Sequence, residues 1–335
     1  MRVVIDAMGT DRAPGPEVAG ALRALRATQD LEVVLVGDIA RLERELAGGR
    51  PDRLSIVHAS QVVTMSDHAA QAFRAKPDSS MRVAVEWVAN GTCDAVVSAG
   101  NSGAMLACAV FALGRIAGVE RPAIVTVLPT PSGPLVMCDS GANTEPKPSQ
   151  VAQFGILAVA YARAVHGRTR PRLGVLSNGS EAGKGTPLTR AACELLARYE
   201  GEFEFVGHVE GSDLFRGVVD AVATDGFTGN VVLKTCEGIA EAMFGLVRQE
   251  LERTPLARLG TAIDAPALHD LVNRIDYAEV GGALLAGVAR TTVIAHGRSD
   301  AKAMCNAIHA AAEFAARGLP DALAAALQPR AAHRE

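Results

Sequence analysis

The sequence has few aromatic residues and no marked excess of charge of either sign. Aromatic residues make up 4% of its 335 residues, and 33 basic side chains against 37 acidic ones leave a formal net charge of −4. Proteins that bind nucleic acid usually present a net basic surface, so this balance argues against that class. With 49% hydrophobic residues and 33 glycines, the composition is that of a globular protein long enough to bury a sizeable core.

The sequence also lacks a secretory signal and an apolar run of membrane length. Met1 and Arg2 lead directly into a strand-like segment, without the apolar stretch and cleavage site of a signal peptide. The best apolar run, Ala104 to Leu113, is well short of the roughly 20 residues that a membrane span needs. We therefore expect a cytoplasmic protein.

The cysteines and histidines lack the spacing of a metal site. No C-x-x-C pair occurs among the six cysteines, so we expect reduced, mostly buried thiols and no disulfide framework. They are Cys93, Cys108, Cys138, Cys193, Cys236 and Cys305. We predict no metal and no cofactor, although the sequence leaves open whether four aspartates form a carboxylate cluster. These are Asp6, Asp11, Asp139 and Asp225.

Short β-branched runs alternate with longer amphipathic ones along most of the chain. This alternation predicts an α/β fold with a mostly parallel sheet and helices on both faces. Ten strands are predicted: Val3–Asp6, Glu32–Val36, Leu54–His58, Ala95–Ser98, Ile124–Leu128, Leu135–Cys138, Leu173–Leu176, Glu204–Val206, Ala221–Ala223 and Thr292–Ala295. The turn-rich link at 129–134 predicts an antiparallel hairpin between the fifth and sixth strands, placed at a sheet edge.

A different pattern occupies residues 254–277. Its apolar spacing fits two short amphipathic helices broken near Pro266. The segment is consistent with packing on the core, or with a helical hairpin that meets a dimer partner, an acyl chain or a membrane surface. We interpret residues 1–330 as one α/β unit carrying this hairpin, and residues 331–335 as a tail.

Glycine and small polar residues gather where the predicted strands end. In an open α/β sheet ligands bind beyond the carboxyl ends of the strands, and glycine-rich turns that lead into helices favour anions. Five segments have this character: 6–11, 98–103, 139–143, 178–186 and 225–230. Together they predict a site for a phosphate-type ligand.

Two nucleotide-binding patterns are absent, while two single residues stand out. Residues 179–186 do not match the P-loop, and the first strand is not followed by G-x-G-x-x-G. Lys184 lies between two glycines, which favours contact with an anion over a solvated surface lysine. His296 follows the last predicted strand, where a structural and a catalytic role are equally consistent with the sequence.

Several segments together resemble the phosphate acyltransferase family of bacterial phospholipid synthesis, over nearly the whole chain. The resemblance is carried by residues 6–9, 58–60, 76–81, 98–101, 225–230, 281–283 and 295–297. Thr10 stands where the family usually has glycine, and Ser102 where it usually has threonine. Residues 178–182 also differ from the more acidic loop of the family.

The resemblance implies a fold similar to the phosphotransacetylases and the isocitrate and isopropylmalate dehydrogenases, and a homodimer. It implies transfer of a fatty acyl group from acyl carrier protein to inorganic phosphate, whose product a membrane acyltransferase then uses. Phosphate is itself the nucleophile, so the protein needs to position an anion and stabilise an oxyanion.

On this basis we assign Lys184, Asn230 and His296 to catalysis, the first two as stabilisers of charge. The residues expected to bind substrate are Asp6, Gly9, Ser98, Gly100, Asn101, Ser102, Gly103, Asn143, Asp225, Gly226, Thr228 and Gly229.

The implied carrier protein is acidic and should dock on local basic residues. Candidates are Arg74 with Lys76, or the group Arg168, Arg170 and Arg172, although either is also consistent with a solvated face. Two other functions stay open. One is a metal- and NAD-dependent decarboxylating dehydrogenase on a related fold. The other is a non-enzymatic peripheral protein that recruits partners of lipid synthesis, or associates with the membrane, through residues 254–277.

Overall fold

The computed structural model describes residues 1–181, 183–199, 201–254 and 281–327. The predicted helical hairpin lies outside the described residues from position 255 onward, as does the predicted tail at 331–335.

In the part of the chain that the structure describes, eleven strands form one continuous sheet. In chain order they are β1 Arg2–Asp6, β2 Glu32–Gly37, β3 Leu54–His58, β4 Ala95–Ser98, β5 Ala123–Leu128, β6 Leu135–Cys138, β7 Arg172–Leu176, β8 Glu204–Val209, β9 Ala221–Ala223, β10 Ala283–Ala286 and β11 Thr291–Ile294. Across the sheet their order is β3-β2-β1-β4-β11-β10-β5-β6-β9-β7-β8.

Helices connect most of these strands. They are α1 Gly15–Ala27, α2 Ile39–Glu45, α3 Ala69–Ala75, α4 Ser80–Ala89, α5 Ser102–Ala112, α6 Pro148–His166, α7 Pro187–Ala197, α8 Gly226–Glu252, α9 Ala301–Ala316 and α10 Leu319–Leu327. Several begin at a capping side chain that accepts a hydrogen bond from the first turn, as Asp38, Ser79 and Asp300 do. Helix α6 ends at Gly167, whose φ of 67° is readily adopted by glycine.

The sheet consists of two parallel groups that run in opposite directions. Strands β3, β2, β1, β4 and β11 are parallel to one another, and so are β6, β9, β7 and β8. Between the two groups, three successive antiparallel pairings involve β11, β10, β5 and β6. Because strand direction reverses an odd number of times between them, the carboxyl ends of the two groups lie at opposite edges of the sheet. An edge here is the side of the sheet on which the strands end.

Helices cover both faces, as predicted. One face packs against α1, α6, α7, α9 and α10, and the other against α3, α4, α5 and the start of α8. Because both faces are covered, the strands are apolar along almost their whole length, and Val3, Val4 and Ile5 of β1 are fully buried. Seven of the ten strand pairings are parallel, so the predicted mostly parallel α/β sheet is confirmed.

The hairpin of β5 and β6 is antiparallel, as its turn-rich link predicts, but its predicted place at a sheet edge is wrong. The two strands are seventh and eighth of the eleven, because β10 pairs with β5 and β9 with β6. Strand β10 is missing from the predicted strands. Glycines at 281, 282 and 287, all with positive φ, flank it closely, and the apolar run between them is only four residues long, so its pattern does not indicate a strand.

Among the described residues, the model contains no helix with both the length and the apolar character needed to span a membrane.

Candidate active site

Four of the predicted site residues meet at the carboxyl ends of β1 and β4, and we call them the Asp6 cluster: Asp6, Gly9, Ser98 and Gly100. The hydroxyl of Ser98 donates to Asp6 Oδ2 at 2.8 Å, and Asp6 is buried. Burial raises the pKa of Asp6, against the lowering effect of hydrogen bonds from serine side chains and the Met8 amide. A Cβ on Gly9 would stand 2.7 Å from the Gly100 nitrogen, so the two loops touch because position 9 has no side chain.

The next predicted residues begin α5 beside this cluster. The side-chain oxygen of Asn101 accepts from the Ala104 amide at 3.0 Å and caps the helix. Its side-chain nitrogen contacts the backbone carbonyls of Thr64, Met65 and Asp67, so Asn101 fixes a neighbouring loop. Ser102 and Gly103 are exposed in the first turn. The positive end of the α5 dipole therefore faces solvent next to the Asp6 cluster.

A second group lies at the carboxyl ends of β6 and β9, and we call it the Asp139 cluster: Asp139, Asn143, Asp225, Gly226 and Gly229. Asp139 is fully buried, and burial raises its pKa. Its carboxylate accepts four backbone amides and one side-chain amide, at 2.6 to 3.2 Å. The side chain of Asn143 donates to that carboxylate and to the Pro122 carbonyl.

The Asp139 cluster forms a support on which α8 begins. Asp225 caps α8 by accepting from both the backbone and the hydroxyl of Thr228, at 2.8 and 2.7 Å. A Cβ on Gly229 would stand 1.9 Å from the Asp139 carbonyl oxygen, and one on Gly226 would be 2.7 Å from the Asn143 carbonyl. The glycines let the helix pack directly on the loop, and leave the side chain of Asn230 exposed above Gly141.

The two clusters lie at opposite edges of the sheet, and α8 connects them. Eight residues after Gly226, or about 12 Å along the helix axis, Lys234 Nζ lies 2.7 Å from His296 Nε2. His296 follows β11 at the edge that carries the Asp6 cluster. Burial, together with the charge of Lys234, lowers the pKa of His296.

A polar row runs along α8 between the clusters: Asn230, Lys234, Glu237 and Glu241. Spacings of three and four residues place these side chains on one face of the helix. Lys234 Nζ is 2.8 Å from Glu237 Oε2, and Arg298, two residues past His296, pairs with Glu241 at 3.7 Å. The sequence prediction included Asn230 but missed Lys234 and Glu237, although helical spacing from Asn230 would have identified both.

Lys184 lies apart from this row, in the loop that follows β7. It is exposed, and its aliphatic chain lies against Gly179. The loop is held by the Asn178 side chain, which accepts from the Gly185 amide at 2.9 Å. Strand β7 pairs with β9, so Lys184 stands at the same edge as the Asp139 cluster.

The four candidate aspartates do not form one cluster. Asp6 and Asp11 follow β1, whereas Asp139 and Asp225 lie at the opposite edge. Within the described ranges, no group of three or more histidine, cysteine or acidic side chains could hold a metal ion. A decarboxylating dehydrogenase would need such a carboxylate group, so the geometry of these residues gives that alternative no support.

The six cysteines are free thiols, three of them buried and three half-buried. Burial raises the pKa of Cys93 to about 11 and that of Cys108 to about 12. The pKa values of the other four are also raised, so each thiol is protonated near neutral pH. These positions therefore provide structure rather than a nucleophile.

Comparison with known proteins agrees with the geometry. A family model described as fatty acid synthesis protein matches residues 1–321. The phosphate acyltransferase of Myxococcus xanthus (strain DK1622) is 49% identical over 324 residues, covering 95% of this chain and 91% of that protein. The phosphate acyltransferase of Geobacter sulfurreducens is 45% identical over 326 residues, covering 97% and 93%.

Solved structures share the fold at low sequence identity. A phosphotransacetylase from Streptococcus pyogenes superposes with a TM-score of 0.62 at 16% identity, covering 93% of each chain. A branched-chain phosphotransacylase from Enterococcus faecalis V583 gives 0.56 at 15% identity, covering 95% of this chain and 99% of that one. The expected similarity to the phosphotransacetylase fold is confirmed.

Proposed function

The chain belongs to the fatty acid synthesis protein family, and on that premise we propose that it transfers a fatty acyl group from acyl carrier protein to inorganic phosphate, producing an acyl phosphate for phospholipid synthesis. The observation that carries this proposal is the path of α8, which sets Asn230 and Lys234 in one exposed polar row between two strand-end clusters. Donors and a cation in such a row suit a reaction in which an anion attacks a thioester.

The reaction needs no nucleophilic side chain, because phosphate attacks the acyl carbon itself. Phosphate would bind at the exposed first turn of α5, where Ser102 and the helix dipole favour an anion. The amide of Asn230 would donate to the thioester oxyanion, and one such donor is typically worth about 3 kcal/mol. Lys184 supplies a second cation at the same edge as the start of α8.

The most buried candidate residues would support the site without contacting the substrate. Asp6, Asp139 and Asp225 each already accept hydrogen bonds from protein donors. We assign these carboxylates, together with Asn143, Gly226 and Gly229, to holding the loops and α8 in place. Contact with substrate is left to Ser102, Thr228, Asn230 and Lys184, whose side chains reach a half-buried or exposed surface.

The direct test is phosphate-dependent release of thiol from acyl carrier protein by the purified protein. We expect Asn230→Ala to lower kcat at least 100-fold, since the oxyanion donor acts in the transition state, and Lys184→Ala to lower it at least 10-fold. Arg198→Ala, which removes an exposed cation at the end of α7, is the control for Lys184 and should change turnover less than threefold. Full turnover by Lys184→Ala would remove that residue from the mechanism, and thiol release independent of phosphate would refute the function.

We place the carrier protein beside Arg74. That residue is exposed at the end of α3, and the neighbouring Lys76 is paired with Asp67, whose carbonyl contacts Asn101. This region therefore adjoins the start of α5. In the other candidate group, Arg168 and Arg172 both pair with Asp220, which reduces the charge they offer.

Charge reversal separates the two docking sites. We expect Arg74→Glu to raise KM for acyl carrier protein about 10-fold and to leave KM for acyl-CoA unchanged, because an acidic carrier is repelled while a small donor is not. Arg170→Glu is the matched control and should change neither value. Unchanged KM for the carrier in Arg74→Glu would exclude this site.

The remaining expectations concern assembly and location. An exposed apolar row on α8 supports a homodimer: Phe227, Val231, Ile239, Met243 and Val247, with Leu246 beside it. The row follows a spacing of four, and two such ridges pack against each other at about −50°. One continuous sheet supports a single unit over 1–330, which we place in the cytoplasm with peripheral membrane association as a further expectation.

A further inference from the structure

Lys234 is the cation whose surroundings are most fully defined in the candidate site. It lies one helical turn after Asn230, and its ammonium group contacts His296 Nε2 at 2.7 Å and Glu237 Oε2 at 2.8 Å. The side chain of Glu237 is 11% exposed, while that of Lys234 is 43% exposed. The buried carboxylate thus holds the lysine in place and leaves part of its ammonium group open to a substrate.

The contact between Lys234 and His296 contains one proton that either nitrogen can hold. The backbone amide of Arg298 donates to His296 Nδ1 at 3.1 Å. A neutral imidazole has a single lone pair, so the Arg298 amide and the Lys234 ammonium compete for it. If Nδ1 accepts, then Nε2 carries a hydrogen and cannot accept from Lys234. The hydrogen-bond role of Nε2 toward Lys234 therefore depends on the tautomer of His296.

Charged groups from several elements surround the His296 imidazole and lie on both sides of its charge balance. Glu237 and Asp11 favour the protonated imidazole, whereas Lys234 and Arg298 oppose it, and burial opposes it most strongly. Asp11 belongs to the loop after β1, and its amide donates to the Gly297 carbonyl at 2.8 Å. Elements from both edges of the sheet therefore meet around the contact between Lys234 and His296.

The proposed reaction has a proton to move. Hydrogen phosphate attacks the acyl carbon through one oxygen, a C–O bond forms, and the C–S bond breaks to release a thiolate. The acyl phosphate product has lost the phosphate hydrogen, and the thiol product has gained one. The reaction is thus balanced by transfer of one proton from phosphate to sulfur.

We propose that Lys234 is a catalytic residue that passes this proton from the phosphate hydroxyl to the departing sulfur, with His296 as its partner. Lys234 Nζ donates to the thiolate as the C–S bond breaks and regains a proton from the phosphate. In the tautomer whose Nε2 is unprotonated, His296 accepts from Nζ, and Glu237 stabilises the ammonium before and after the transfer. The inference rests on the proposed acyl transfer to phosphate.

The experiment compares two acyl donors that differ in their need for a proton. Acyl carrier protein releases an alkyl thiolate, which is basic, whereas the acyl thioester of 4-nitrothiophenol releases a thiolate that leaves without one. We expect Lys234→Met to lower kcat/KM at least 100-fold with the carrier donor, within the range for general acid–base catalysis, and less than 10-fold with the nitrothiophenol donor.

Lys234→Arg separates charge from proton transfer. Its guanidinium keeps the positive charge but does not release a proton, so it should show the same selective loss as Lys234→Met. Arg248→Met removes an exposed cation from the same helix and should leave both rates within twofold of wild type. An equal loss with both donors, or full activity of Lys234→Arg with the carrier, would overturn the role of Lys234. If wild-type protein releases no thiol in response to phosphate, the proposed function itself fails.

Discussion

At the scale of single residues, Glu17 is the buried carboxyl with the clearest consequence for pH. It is fully buried in the first turn of α1, and it accepts from the Thr10 amide at 2.8 Å and the Thr10 hydroxyl at 3.0 Å. Burial raises its pKa from 4.5 to about 7, against the lowering effect of those bonds. The residue thus anchors Thr10 in the loop that follows β1.

The raised pKa predicts a loss of stability as pH rises. An acid that binds its proton more tightly when folded stabilises the protein fully below pH 4.5, and this contribution is lost as pH rises through about 7. At about 1.4 kcal/mol per pH unit, the loss is about 3 kcal/mol. We expect urea unfolding to show that wild type loses this amount relative to Glu17→Gln between pH 4.5 and 7. Parallel stability curves for the two proteins would contradict the prediction.

Asp139 carries a second prediction at this scale. Replacing it with alanine leaves buried amides of the loop and of Ile124 without an acceptor, at about 1–3 kcal/mol for each group that water does not reach. We expect Asp139→Ala to lower the free energy of unfolding by about 4 kcal/mol in urea titration. Asp139→Asn, which keeps one acceptor oxygen, should lose about half as much. A loss below 1 kcal/mol in the alanine variant would show that the loop is held by other contacts.

The expectation that ligands bind beyond the carboxyl ends of the strands predicted the positions of these polar residues better than their roles. It correctly brought Asp6, Ser98 and Gly100 together, because parallel strands that pair directly end side by side. It could not separate residues that face a ligand from those that support a loop. Aspartate, asparagine and glycine are also the residues that cap helices and allow close packing, so both roles have the same pattern in sequence.

At the scale of elements, the packing of α8 on the Asp139 loop depends on its glycines, and Gly229 makes the closest approach. In Gly229→Ala the new Cβ would meet the Asp139 carbonyl oxygen at 1.9 Å, which forces the helix to move. We expect a loss of at least 2 kcal/mol in stability and, because Asn230 and Lys234 move with the helix, at least a 10-fold loss in kcat.

Gly245→Ala on the same helix is the matched control. A Cβ there would have no described atom within 4 Å, so the substitution should add up to about 1 kcal/mol through helix propensity alone. The two variants, compared by thermal unfolding and turnover, distinguish packing from propensity. Equal effects of the two substitutions would mean that α8 does not rest on the loop at Gly229.

Elements with a clear period were predictable, whereas their neighbours across the sheet were not. Leu54–His58 and Ala221–Ala223 match the predicted strands residue for residue. The hairpin of β5 and β6 was predicted as a pair but misplaced at an edge. Its position depends on β10, which pairs with β5 from about 160 residues further along the chain. The local sequence of the hairpin does not indicate that pairing.

At the scale of the whole molecule, the exposed apolar row of α8 predicts a dimer that charge should disrupt. Met243 is 55% exposed, and a carboxylate at this position would be buried opposite a second copy of the row. We expect Met243→Glu to shift the protein from dimer to monomer in light scattering. Arg248→Glu, on the other side of the helix, should stay dimeric. A wild-type monomer at micromolar concentration would refute the proposed assembly.

The sheet is continuous, but the reversal of strand direction in its middle could not be predicted from the sequence. Strand direction follows from long-range pairing, and nothing near residues 139 or 296 indicates that they lie at opposite edges. The two groups of candidate residues therefore lie at opposite edges of the sheet, and α8 connects the two edges through Lys234 and His296.

The same sheet order has a consequence for biosynthesis. Strands β1–β4 and β5–β9 each form a group from consecutive stretches of chain, and among the described strands no pairing joins these two groups except through β10 and β11. Strands β10 and β11, which join the two groups, are translated after residue 280. By then nine of the eleven described strands have already been synthesised. A chain terminated before Ala283 would contain Lys234 and both strand groups. It would lack His296 and the two strands, β10 and β11, that connect the groups. The stretch of chain translated after residue 280 thus determines when the site is assembled.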